Sequence, residues 1–241
     1  MASSTLLQIA QQFSRRNSLP VPSALIGSTD ARVLQVQQLI EDVALDIWRR
    51  SDWRVCIRRV EWTSAASEDQ GLLTVRCPED FDHVIPRTFW DNTLRRPVFG
   101  PVSDMVWQQL KAFVPGSPLY QFMIREGAIL VYPAMTAGDT LSLAYKTQRK
   151  WQATGGGAYK VLATVDTDVS VFPDNLIELG LDYLWKETKG KAGAAKAEEK
   201  YEEALLIMAG SDSVQPVIHT DFPDQNLLPG IWVPQGNWLV T

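Results

Sequence analysis

The chain has 241 residues, enough at about 150 residues per domain for one or two domains with real cores and no need of a disulfide or metal staple. Apolar residues make up 45% and charged residues 21%, ordinary globular proportions that exclude a disordered protein. The balance of 23 basic and 28 acidic residues, net −5, disfavours a strongly basic nucleic-acid binder.

Leu6, Ile9, Ala10 and Phe13 recur at helical spacing and predict a short opening helix, ended by Asn17, Pro20 and Pro22. No acid precedes Asp30, and Arg15 and Arg16 follow the amphipathic stretch. A mitochondrial presequence can share those features, but two arginines are few and an ordinary first helix accounts for the segment. Nor does the start carry the basic run and apolar block of a secretory signal. Ser28, Thr29 and Asp30 are N-cap candidates for a long helix to about Arg50. Its stripe Val33, Val36, Ile40, Val43 and Ile47 is expected to face a core, although such a stripe can also face a neighbouring subunit.

From Trp53 the period changes. Val55, Ile57, Val60 and Trp62 sit among Arg54, Arg58, Arg59 and Glu61, which predicts one or two strands. Leu72 to Arg76 reads as a further strand, Pro78 to Trp90 as irregular, and Val98-Phe99 as a short extended piece. Ser103 can cap a helix through Val106, Trp107, Leu110 and Phe113. Three strands follow, Tyr120 to Arg125, Ala128 to Tyr132 and Thr140 to Lys146, with turns at Glu126-Gly127 and Ala137-Gly138-Asp139. Gly155-Gly156-Gly157 lacks the Gly-Lys-Ser/Thr ending of a phosphate loop and reads as a flexible loop. Pro173 opens a late helix with Ile177, Leu181, Leu184 and Trp185 on one face. A second runs from Ala192 to Met208, its charged stretch Lys196 to Glu203 a solvated face.

Ser211 to Thr241 differs from everything before it. It holds four prolines, no Lys or Arg, and many large apolar side chains. Prolines at that spacing forbid a long helix, and disordered tails are poor in such side chains. The segment is therefore expected to be an extended docking arm. Phe222, Ile231, Trp232 and Trp238 are its candidate partner-docking residues. Nine Trp in the chain likewise point to extensive protein–protein contact.

Chemistry is sparsely signalled. Cys56 and Cys77, the only cysteines, exclude a disulfide-rich scaffold and a four-cysteine zinc site, and read as small buried thiols. His83 and His219, the only histidines, exclude sites built on several imidazoles. The motifs Gly-x-Ser-x-Gly, His-Glu-x-x-His and Gly-x-Gly-x-x-Gly are absent. No apolar run approaches the ~18 residues of a membrane helix. The single catalytic candidate is Glu79-Asp80-Phe81-Asp82-His83, a carboxylate pair of the kind a glycosidase uses. Adjacent acids also occur in surface turns, and a solvated or capping role is expected. The arginines at 54, 58 and 59 and the Arg95-Arg96 pair could touch a phosphate backbone or pair with carboxylates across an interface; the acidic total favours the second.

The order of these segments resembles tailed-bacteriophage head-to-tail adaptor proteins. The likeness is carried by Thr5 to Ala10, Pro20 to Asp30, the helix end Trp48-Arg49-Arg50-Ser51-Asp52-Trp53, Pro78 to Asp82 with Trp90-Asp91, Pro118 to Phe122, and Pro173-Asp174. The resemblance covers most of residues 1 to 210 and implies a ring of twelve subunits beneath the portal, in the virion at the head–tail junction after assembly in the bacterial cytoplasm. Such a ring extends the DNA channel and offers a platform for a further tail or nozzle protein. Its implied partners are the portal, its own copies and passing double-stranded DNA without specific binding, with no membrane, no cofactor and no catalytic or metal residues. A predominantly negative lumen would repel the phosphate backbone. Because some short-tailed phage adaptors are described as peptidoglycan-cleaving, a virion-associated enzyme is the alternative.

The expected fold class is α+β. An α-helical bundle is formed by residues 1–52 and 173–210. An antiparallel β-rich domain with one helix, 53–150, is inserted between them, with a loop at 151–172 and the arm at 211–241.

Overall fold

The computed structural model describes residues 4–113 and 119–212. In chain order the first elements are α1 (Leu6–Arg16), α2 (Ala31–Arg50), a 3-10 turn (Arg54–Cys56), β1 (Ile57–Thr63), β2 (Asp69–Leu72), α3 (Leu73–Arg76), β3 (Phe81–Val84), β4 (Trp90–Asp91) and β5 (Arg96–Pro97). There follow α4 (Asp104–Phe113), β6 (Gln121–Arg125), β7 (Ala128–Tyr132), β8 (Thr140–Thr147), β9 (Trp151–Gln152), β10 (Tyr159–Lys160), β11 (Val169–Ser170), α5 (Asp174–Thr188) and α6 (Ala194–Asp212). The class is α+β, with helices at both ends and an antiparallel β-rich middle. Among the described residues no helix is long and apolar enough to cross a membrane.

The helical bundle follows from its caps and stripes. Thr5 and Gln8 form a reciprocal capping box at α1, with Gln8 N–H donating to Thr5 Oγ1 at 3.2 Å and Thr5 N–H to Gln8 Oε1 at 2.9 Å. Of the three N-cap candidates before α2, Asp30 takes the position, accepting from Arg32 N–H at 2.8 Å. Leu6, Ile9 and Phe13 of α1, Val36, Ile40, Val43 and Ile47 of α2, and Ile177, Leu181 and Trp185 of α5 are buried in one core with Tyr201 and Leu205 of α6. Phe13 meets Trp185 edge to face at 5.6 Å. Gly180 lets α5 sit close: a Cβ there would lie 2.6 Å from Val43 Cγ1 and 3.0 Å from Tyr201 Cε2.

A second core fills the β domain. One sheet runs β1-β8-β4-β5 with β3 also on β8, and another runs β2-β7-β6. Trp62, Phe89, Phe122, Ile129, Val131, Leu141 and Leu143 pack between them, with Phe89 edge-on to Phe122 at 4.9 Å. The β6–β7 hairpin turns on Glu126 and Gly127, both at positive φ (52° and 77°), the left-handed pair that a two-residue hairpin needs. Helix α4 lies against this sheet through Trp107, whose ring meets Tyr132 at 6.2 Å.

Several boundaries differ from the sequence reading. Leu72 to Arg76 is not a continuous strand: β2 ends at Leu72 and α3 makes one helical turn. Leu73 is buried while Leu72 and Val75 are exposed, which breaks strand alternation, and Arg76 Nε closes the turn on Gln70 O at 2.9 Å. Residues 151–172 are not loop throughout. They hold the sheet β10-β9-β11, with Gly155 and Gly156 turning its hairpin at φ 79° and 81°. Pro78 to Trp90 contains β3. Helix α6 continues through Ser211 and Asp212, the first two residues assigned to the arm. The rest of the arm, with Phe222, Ile231, Trp232 and Trp238, lies outside the described residues.

Candidate functional site

Of the acids and histidine singled out in sequence, Asp80, Asp82 and His83 lie where the β domain meets the bundle. Glu79 is exposed. Asp80 is buried, and Arg149 Nε stands 2.8 Å from its Oδ2, an ion pair in which the N–H is not aligned for a hydrogen bond. The Asp80 carbonyl accepts from Gln148 N–H at 2.8 Å. Asp82 faces His83, with 2.6 Å between Asp82 Oδ2 and Nδ1. The other ring nitrogen, Nε2, lies 3.2 Å from Asp52 Oδ1, just beyond the end of α2. A neutral imidazole carries one N–H, so the ring donates to both carboxylates only as the imidazolium.

Asp52 Oδ1 also receives the Lys146 ammonium at 3.2 Å. Lys146, on β8, is buried, and its Nζ donates to Ser51 O at 2.8 Å and sits 4.6 Å from the centre of the Trp48 ring. Trp48 Nε1 in turn donates to Thr147 O at 2.8 Å. The structure thus brings Asp80, Asp82 and His83 together with Asp52, Lys146, Arg149 and Trp48, four residues that the sequence reading did not join to them. No local spacing links these positions. Only the β3–β8 pairing, with His83 opposite Lys146, does so.

Two other polar hubs stabilise the frame. Asp168 is fully buried, and burial alone would raise its pKa. Lys160 Nζ at 2.7 and 2.9 Å and the Thr164 and Val165 amides instead hold it below the usual carboxylate range. Glu41 accepts from the indole of fully buried Trp151 at 3.0 Å and from Ala163 N–H at 3.2 Å. Cys56 and Cys77 are buried free thiols. Burial pushes both up to about 11, with Asp80 adding to the rise at Cys77, so both stay protonated and weakly nucleophilic at neutral pH.

Two of the arginines, Arg58 and Arg59, make contacts within the chain. Arg59 contacts Glu61 at 3.0 Å and donates to Asn92 and Ser142, and Arg58 lies over the Tyr159 ring at 4.6 Å. Among the described residues, no group of three or more His, Cys, Asp or Glu side chains converges as a metal site would require. A cleft of about 300 Å³ between Arg96, Pro97, Leu119 and Tyr120 includes none of the acids at 79–83 in its lining. Large apolar side chains also remain exposed. Leu206 and Ile207 on the outer face of α6 are 73% and 64% accessible. No protein-family model matches the chain, and no curated protein matches it in sequence.

Proposed function

We propose that the protein is a structural head-to-tail adaptor of a tailed bacteriophage. In this reading twelve copies form a ring beneath the portal, at the head–tail junction of the virion, and extend the DNA channel towards a tail or nozzle protein. The observation that carries the reading is the architecture: a bundle closed by helices from both ends of the chain, with an antiparallel β domain inserted between them. That is the combination the family resemblance implies. Leu206 and Ile207 add support, because two adjacent large apolar side chains on an outward helix face suit burial against a neighbouring molecule.

A net charge of −5 suits a conduit that must not hold the DNA passing through it. Individually weak lateral contacts would make ring formation depend on the portal as a template, because closure adds avidity. The test is the mass of the assembly, by analytical ultracentrifugation, with and without the portal of the same phage. A portal-dependent ring is expected. A protein that remains a lone subunit beside an intact portal refutes the proposal.

A further inference from the structure

The chain crosses between its two cores twice, at neighbouring points. Cys56 belongs to the bundle core and Trp62 to the β-domain core; on the return, Leu143 belongs to the β domain and Trp151 to the bundle. The crossings pair across the antiparallel ladder, Ile57 opposite Lys146, so that the β domain is joined by a two-stranded neck. Beside the neck the seam is polar. Its cross-seam contacts include His83 to Asp52, Lys146 to Asp52 and Ser51 O, Trp48 to Thr147 O, Arg149 to Asp80, and the Arg58 guanidinium over the Tyr159 ring. Among the described residues no buried apolar side chain belongs to both cores.

We propose that this neck is a hinge and that Asp52 is its latch. The Asp52 carboxylate, carried on the end of α2, holds His83 of β3 and Lys146 of β8 through one oxygen, and so fixes the angle between the β domain and the bundle. Releasing it lets the β domain swing as a rigid body about the links between Cys56 and Ile57 and between Gln148 and Lys150, while each core stays packed. The acidic segment at 79–83 then acts mechanically, with Asp82 orienting the His83 ring and Asp80 forming a second tie through Arg149. Two separate cores on a short double connection is the arrangement in which a hinge moves by changing a few backbone angles. This inference does not depend on the adaptor reading.

The test uses the full chain with spin labels at Gln109→Cys on α4 and Lys196→Cys on α6, both exposed, and measures the distance between them. A single narrow distribution is expected for the otherwise wild-type chain. Asp52→Asn and, separately, His83→Gln are expected at least to double its width or to add a second distance, with unchanged far-ultraviolet circular dichroism. Arg16→Gln, which removes an ion pair with Glu178 inside the bundle, should leave it narrow. A narrow distribution in both seam variants overturns the hinge. A broad one before any seam substitution overturns the latch. Loss of helical signal in His83→Gln, an exposed position, also refutes the proposal, because seam and cores would then melt as one unit.

Discussion

Asp168→Asn removes the most completely buried carboxylate that has a cationic partner. The native side chain accepts two bonds from Lys160 Nζ and one each from the Thr164 and Val165 amides. Breaking a buried ion pair by removing one partner costs about 3–5 kcal/mol. Lys160 is 24% accessible and can turn partly towards water, and asparagine keeps one acceptor for the amides, so the low end applies, about 3 kcal/mol. With a urea slope of about 3 kcal/mol/M, the midpoint should fall by about 1 M at pH 7. The pH dependence has a definite sign. The carboxylate's pKa is depressed in the folded state, so its contribution is complete above the unfolded value, about 3.9, and is lost as pH falls towards the lower folded one. The gap between wild type and variant should therefore close below about pH 4. A variant within about 0.5 kcal/mol of wild type at pH 7, the scatter of ordinary surface changes, refutes the reasoning. So does a gap that stays undiminished in acid.

Gly180→Ala gains about 1 kcal/mol in helix propensity but forces Val43 or Tyr201 aside at about 1–3 kcal/mol, so net destabilisation near 1 kcal/mol is expected by urea unfolding; a stabilised protein contradicts the close packing. Tyr201→Phe loses the 2.9 Å bond to Asp46 and should cost about 1–1.5 kcal/mol in the same assay. Burial, then the Asp46 carboxylate, pushes the Tyr201 phenol above its ordinary range, so this loss should not vary between pH 6 and about pH 9, below the ordinary tyrosine value. For the adaptor proposal, Trp232→Ala should weaken attachment to the portal by about 2 kcal/mol if the residue is an anchor, and unchanged attachment would remove it from the docking set.

The helices were legible because their causes are local. A period near 3.6 specifies α1, α2 and α5, with a hydroxyl ahead of α1, an acid ahead of α2, Pro20 behind α1, and Pro173 before and Gly190 behind α5, all without reference to the rest of the chain. The Glu126-Gly127 turn is local in the same way. The misread segment at 72–76 is set from a distance: Leu73 N–H donates to Gly127 O at 2.8 Å, which ends β2 and starts the turn of α3. Strands of two residues, such as β9 to β11, are too short to show a period of two. At the seam the sequence supplied the acids but not their partners. Lys146 is only the last residue of an expected strand in the sequence, yet it is 3% accessible, with Trp48 and Ser51 at the end of α2 against it. That burial depends on where the bundle rests on the sheet, which no local pattern encodes.

The chemistry of the seam fits the topology. An apolar contact between bundle and β domain would merge the two cores, and moving one against the other would then expose apolar surface at about 25 cal/mol per Å². Ion pairs at a half-exposed boundary behave differently. Asp52 and His83 are each nearly half accessible, so water can replace their contact, and such pairs contribute about 0–1 kcal/mol. Lys146 and Asp80 are the buried exceptions, and the Lys146 contacts to Ser51 O and the Trp48 ring cross the same seam, so water must replace them when it opens. Opening the seam therefore costs far less than unfolding either core, while the directionality of hydrogen bonds and charges still selects one closed angle. Asp82 and His83, expected to be solvated, do make directional contacts on this boundary, while Asp80 is not solvated but buried beside Arg149.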